Sequence, residues 1–219
     1  MIKIDDMIAK CSPNGVEFKE LGIIGFFYRG LTGKTESDFI EGNAKYITYM
    51  NVFSNISVDL MGFKLVKIKK NEKQNQVEVG DVLFTGSSET VEECGMSSVL
   101  TQQVDEPIYL NSFCFGYRLH NKQIFLPGFL KYLFRDVEIR KEIVKTANGV
   151  TRFNISKKSF AKIKIPIPPL EIQHEIVRTL DKFYTLVSDS SVGLTAEIAA
   201  RRQQYEYYRN KLLTFQEAA

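Results

Sequence analysis

With 219 residues, 44% of them hydrophobic and 25% charged, the chain is long enough to bury its own core, and disorder is excluded as its default state. The formal charge of +3 permits contact with a polyanion without demanding one. No apolar run approaches the roughly 20 residues that cross a bilayer, and the N-terminus lacks a signal-peptide pattern. These features predict a cytoplasmic protein of one compact domain plus an extension, with no membrane partner.

In chain order, apolar Ile4, Met7 and Ile8 predict a short helix, Ser12-Pro13-Asn14-Gly15 a tight turn, and Val16 and Phe18 a second short element reaching Leu21. From there to Tyr117 the pattern changes to short β-rich runs between polar loops: KYITYM (45–50), FKLVKI (63–68), DVLFT (81–85) and SFCFGYRL (112–119). Such runs imply an α+β fold with a mixed, twisted sheet, not a parallel doubly wound one. A helix is expected from Leu126 to Ala147, opened by Pro127 and stopped at Asn148-Gly149. Ile155-Ser156 predicts the cap of a single turn through Phe160, and KIKIPI (162–167) alternates like an edge strand. Pro166-Ile167-Pro168-Pro169 then forms a rigid joint, which divides the chain into a domain at 1–166 and an extension at 167–219.

From Glu171 to Phe215 there is no proline and one glycine, Gly193, and apolar side chains follow a heptad. One register places Val177, Tyr184, Ser191, Ile198, Tyr205 and Leu212 at a, with Leu180, Val187, Leu194, Arg201, Tyr208 and Phe215 at d. A single helix of about 45 residues would be close to 70 Å long. Globular helices average about 11 or 12 residues, so this seam predicts a coiled-coil spacer that needs a partner helix. The functional expectation hangs on that seam; a tail folded back into its own globule, with no mate, would remove its support.

Signs of catalysis are few. Gly33-Lys34-Thr35 ends like a phosphate loop, but the glycine required five residues earlier is Tyr28. Pro168-Pro169 lacks the flanking amide and aromatic of an adenine methyltransferase loop, and Glu17-Phe18-Lys19 is too short a match for a nuclease site. His120 and His174 have no cysteine or carboxylate at ligand spacing. Cys11, Cys94 and Cys114 are odd in number and widely spaced, which predicts reduced, partly buried thiols. Lys64, Lys67, Lys69, Lys70 and Lys73 suit either a DNA-facing surface or an edge strand blunted against aggregation. The loop Thr85-Gly86-Ser87-Ser88-Glu89-Thr90 offers short polar side chains that suit base edges and phosphates.

In this order the motifs resemble one family over essentially the whole chain. They are Cys11-Ser12-Pro13-Asn14-Gly15-Val16-Glu17-Phe18-Lys19-Glu20-Leu21-Gly22, Gly33-Lys34-Thr35, Tyr46-Ile47-Thr48, Gly80-Asp81-Val82-Leu83-Phe84 and Gly149-Val150-Thr151-Arg152. The strongest follow: Ile165-Pro166-Ile167-Pro168-Pro169-Leu170-Glu171-Ile172-Gln173, Ile176-Val177, Leu180-Asp181-Lys182-Phe183 and Tyr205-Glu206-Tyr207-Tyr208-Arg209-Asn210-Lys211-Leu212-Leu213. The sequence resembles the DNA specificity subunits of type I restriction-modification systems.

That resemblance implies a noncatalytic target-recognition domain and a spacer helix that docks modification subunits. A complete member carries two such units and this chain one, so a half-length or shortened member is expected, and two copies would read an inverted repeat. The candidate DNA contacts are Thr32, Lys34, Thr35, Tyr46, Asn51, Thr85, Ser87, Ser88, Thr90, Thr151 and Arg152, with Arg152 the first choice for reading a base. Val177, Leu180, Tyr184, Val187, Leu194, Ile198, Tyr205, Tyr208, Leu212 and Phe215 are the expected partner-helix seam, pairing antiparallel in a homodimer. S-adenosylmethionine for adenine methylation, and ATP and magnesium for a restriction subunit, belong on this reading to the partners, and the chain itself binds no cofactor. The competing readings are a coiled-coil adaptor without DNA affinity and a small enzyme whose cleft would hold perturbed ionisable groups.

Overall fold

The computed structural model describes residues 12–188 and 195–218, with the side chains of residues 186, 188 and 195–198 left aside. The helix expected at Ile4, Met7 and Ile8, Cys11, and Ser191, Gly193 and Leu194 lie outside the described residues, as does the side chain of Ile198.

The Pro13-Asn14 turn closes through Gly15 N–H donating to the Ser12 carbonyl at 3.0 Å, as its residue types predict. It leads into β1 (Glu17–Glu20), a single helical turn α1 (Leu21–Ile24) and β2 (Gly25–Arg29). The segments β3 (Ala44–Ile47), β4 (Lys64–Val66), β5 (Val82–Thr85), β6 (Ser87–Ser88), β7 (Ser97–Val99), β8 (Ile108–Leu110) and β9 (Cys114–Leu119) follow. A four-stranded antiparallel sheet, ordered β2-β9-β5-β7, lies beside a three-stranded one, β4-β3-β8, in which β3 pairs parallel with β8. The expected mixed pairing is therefore present. β4, which carries Lys64, is the edge of its sheet.

Phe84, Phe115, Tyr117 and Phe160 fill the centre of the main core, with the Phe84 ring 4.9 Å from Phe160 and 5.4 Å from Phe115. Gly116 is required there, since a Cβ would lie 2.0 Å from the Tyr28 ring. Tyr28 and Arg118 converge on Asp81, which has no solvent exposure. Its carboxylate accepts from Tyr28 Oη at 2.7 Å, Arg118 Nε at 2.8 Å and Nη2 at 2.7 Å, and the Glu78 N–H at 2.8 Å. A buried charge is tolerable when satisfied this fully, and this gives Gly80-Asp81 its structural meaning.

Two expected elements differ. KYITYM is half strand and half helix: Thr48 accepts from the Asn51 N–H and opens α2 (Tyr49–Ser54), so a local cap overrides β propensity. The single helix expected over 126–147 is two, α3 (Pro127–Leu133) and α4 (Val137–Val144). Asp136 breaks it by turning extended (ψ 148°) and capping the Glu138 and Ile139 N–H groups. Beyond β10 (Ala147–Asn148) and β11 (Phe153–Ile155), Ser156 caps α5 (Lys157–Phe160) as predicted. Among the described residues β12 (Lys164–Ile167) pairs only with β1, so Pro166, which cannot donate, sits on an edge.

The extension overturns the largest expectation. It is not one 70 Å rod: α6 (Leu170–Ser188) and α7 (Thr195–Leu213) lie side by side. The rings of Phe183 and Tyr208 stack at 4.7 Å, although 25 residues of continuous helix would part them by roughly 37 Å. Tyr184 meets Tyr205 at 6.1 Å. Leu180, Tyr205 and Leu212 are buried in the main core, with Val177, Val187, Tyr208 and Phe215 packed against it. The apolar seam is thus covered within the chain, and only Tyr184 among its described members is exposed, at 36%. The heptad does not by itself demand a second copy, and the spacer argument drawn from it loses its support.

The buried Gln173 amide fastens this hairpin, accepting from the Leu126 N–H at 2.9 Å and donating to the carbonyls of Ile124 and Pro168 at 2.9 and 2.8 Å. Tyr132 and Lys131 both donate to Asp181. The tail returns to the start of the described chain, where Val16 exchanges backbone hydrogen bonds with Gln216 and Ala218 at 2.8 and 2.9 Å.

Candidate functional site

A cleft of about 560 Å³ opens beside a small sheet ordered β10-β11-β6, and its lining includes Tyr49, Met50, Phe53, Ser87, Ser88, Glu89, Glu93, Phe113, Thr151 and Arg152. Four expected contacts, Ser87, Ser88, Thr151 and Arg152, thus share one cavity although more than sixty residues separate the two pairs. The pairing of Phe153 with Ser88 and Asn154 with Ser87 brings them together. The turn before β11 needs Gly149, whose φ is +143° and whose missing Cβ would lie 2.0 Å from the Arg152 carbonyl oxygen.

Arg152 donates from Nε and Nη2 to the Ser87 hydroxyl at 3.3 and 3.1 Å, and its guanidinium lies 5.5 Å from the Phe113 ring centre. Phe113 is 58% exposed and Met50 60%, so the rim of the cleft carries apolar surface. Tyr49 and Phe53 stack at 6.1 Å, and Tyr49 Oη donates to the Ser87 carbonyl at 2.8 Å. On the other side the Glu93 carboxylate accepts from Thr90 at 2.9 Å and Ser88 at 3.4 Å.

Two arginines for which the sequence predicts no role hold the walls. Arg135 donates to the carbonyls of Val52, Phe53 and Asn55 at the end of α2, and to Ser97 at 2.6 and 2.8 Å. Arg140 donates to the carbonyls of Glu92, Cys94 and Gly95 at 2.8, 2.8 and 2.5 Å. Burial brings both guanidinium groups down to about 10, which leaves them charged at neutral pH. No sequence signal marks them, because an arginine beside apolar helix positions looks the same when it faces water.

The other expected contacts are placed elsewhere. Lys34 has a side chain only 4% exposed, pairs with Glu72 at 2.5 Å and donates to the Lys67 carbonyl at 2.6 Å. Thr35 caps a 3-10 turn through Asp38. Asn51 is buried and bonded to Asp59 in both directions, and Thr85 is buried and accepts from the Met96 N–H. Tyr46 lies in a small apolar cluster, and exposed Thr32 bonds to Gln74. The side chains of Lys34, Asn51 and Thr85 are thus bonded within their own chain, and none of these residues lines the cleft. Lys64, Lys67, Lys69, Lys70 and Lys73 are all exposed.

Cys94 and Cys114 are buried and form no disulfide, and burial pushes both thiols up. Among the described residues no cluster of three or more His, Cys, Asp or Glu is placed to hold a metal, and no helix is long and apolar enough to cross a membrane.

Residues 13–200 match the family model for the type I restriction modification DNA specificity domain. The chain belongs to that family. The specificity subunit of the Escherichia coli type I restriction enzymes EcoR124I and EcoR124II is 27% identical over 217 residues, 96% of this chain and 51% of that subunit. A putative type I specificity subunit from Haemophilus influenzae is 42% identical over 85 residues, 39% of this chain and 22% of that protein. Among solved structures, the HsdS subunit of Thermoanaerobacter tengcongensis has a TM-score of 0.56 at 18% identity, with 96% of this chain and 49% of that one covered. The S subunit from M. genitalium has a TM-score of 0.50 at 14% identity, covering 80% and 41%. These two show a shared fold. The specificity domain described here spans about half the length, or less, of these relatives.

Proposed function

We propose that this specificity domain reads a DNA sequence and performs no chemistry itself, directing adenine methylation and restriction by partner subunits. The observation that carries the reading is the open cleft, where an unneutralised guanidinium, the exposed Thr151 and bare aromatic and thioether groups face solvent on a chain of the specificity family. Base edges require that combination: fixed donors and acceptors beside apolar surface. The exposed lysines from Lys64 to Lys73 supply sequence-independent attraction to phosphates.

On this reading S-adenosylmethionine, ATP and magnesium are bound by modification and restriction subunits in the cytoplasm, and this chain binds double-stranded DNA and those subunits. The hairpin is the docking element. A homodimer forms through its outer surface, since its inner seam is already filled. Mixing the purified chain with a modification subunit of its system tests the proposal: site-specific adenine methylation is expected only from the mixture. Methylation or cleavage by the chain alone, or methylation at the same sites without it, overturns it. An adaptor without DNA affinity predicts no effect from Arg152→Ala.

A further inference from the structure

The same cleft distinguishes what its arginine touches. A guanidinium that grips phosphates gains from a positive neighbourhood, because the backbone it meets is a dense row of negative charge. Arg152 has the opposite surroundings. Glu89 and Glu93 line its cleft, Glu89 is exposed and makes no hydrogen bond or ion pair among the described residues, and no lysine or second arginine among them lines the cavity. Carboxylates repel an approaching phosphate but tolerate a neutral base, whose amino groups they can accept from.

Arg152 is also held in a particular way. Ser87 takes the Nε and Nη2 edge and Phe113 lies against the plane, while Nη1 makes no bond within the described residues and no carboxylate among them pairs with the group. The side chain therefore forgoes part of the rotamer freedom that free arginines lose on binding, and a terminal donor edge is left to a ligand. In the major groove guanine alone presents two adjacent acceptors, O6 and N7, that match an arginine fork.

We propose that Arg152 reads a guanine of the target sequence in the major groove, with Ser87 and Phe113 as the residues that position it. The inference rests on the DNA-reading function proposed above and adds the base and the residue that chooses it.

The experiment is selection of a randomised duplex library by the full-length chain, followed by sequencing of bound DNA, for the unchanged protein, Arg152→Ala and Arg152→Gln. The expected result is one guanine position whose preference falls about tenfold to a hundredfold in Arg152→Ala while the remaining positions keep theirs. Arg152→Gln should move that position toward adenine, whose N6 and N7 suit an amide. Binding that weakens equally for all sequences, with the salt slope reduced by about one, makes Arg152 a phosphate contact and overturns the inference. Unchanged selection in both variants overturns it as well. If the unchanged chain selects no sequence, the DNA-reading proposal fails first and this one with it. Arg152 is exposed, so thermal melts of the two variants should match the parent and separate lost recognition from lost folding.

Discussion

Asp81 is fully enclosed, yet each lone-pair direction that matters is met, and its partners come from β2, from β9 and from the turn before β5. Asp81→Asn removes the charge that Arg118 was buried against, and a loss of about 3 kcal/mol in urea unfolding is expected, far above that of an exposed pair. The Lys34–Glu72 pair gives a second residue-scale test. Lys34 holds the Glu72 carboxyl down at about 2, so its stabilisation is present above the ordinary glutamate range and is lost as pH falls toward 2. Stability curves of the parent and Glu72→Gln should differ at neutral pH and converge over that acidic window; a constant difference would contradict the assignment. Of the residues expected to touch DNA, Ser87, Ser88, Thr151 and Arg152 gather in the cleft, whereas the side chains of Lys34, Thr35, Asn51 and Thr85 bond to other groups of their own chain. Sequence could not divide the two groups, since hydroxyls and amides bond main-chain atoms as readily as bases.

At the scale of elements, the legible signals were local ones: the Ser156 cap, proline at the start of α3, and the edge strand β12. Where two local signals competed, the pattern misled. The apolar spacing of 126–147 is continuous, but one carboxylate at Asp136 offers two N–H groups a better acceptor and starts a new helix. The heptad of 171–215 is more instructive, because a hairpin and an extended coiled coil need the same apolar face on each limb. Spacing fixes the face and leaves its partner open. With Phe183→Cys and Tyr208→Cys in a Cys11→Ser background, a short bifunctional thiol reagent should link the two positions within one chain. Links only between chains would mean that the limbs are exchanged between copies. Leu180→Ala should cost about 2–5 kcal/mol, measured by thermal or denaturant unfolding, as deletion from a filled core does.

For the whole molecule, the family match is a match of sequence and stands independently of the tail's geometry, although the heptad pattern pointed to function through that tail. Because the seam is closed, the proposed homodimer would pair through what the hairpin leaves outside. Tyr207 is 61% exposed on α7, beside Ala200, Gln203 and Gln204 in a shallow groove. Tyr207→Glu should shift a dimer toward monomer in sedimentation velocity without changing the melting temperature; an unchanged mass distribution would place the interface elsewhere. Binding of duplex DNA should weaken steeply with salt, and charge-neutralising changes at Lys67, Lys69 and Lys70 should flatten that dependence by about one unit for each phosphate no longer neutralised.

The anchoring of the cleft walls has a consequence for how such a module changes its target. Arg135 and Arg140 grip carbonyl oxygens, at 52, 53, 55 and 97 and at 92, 94 and 95. Every amino acid brings that same oxygen. The exposed rim side chains Met50, Glu89 and Phe113 take no part in those bonds, so new lettering can be set there one substitution at a time while the frame stays square.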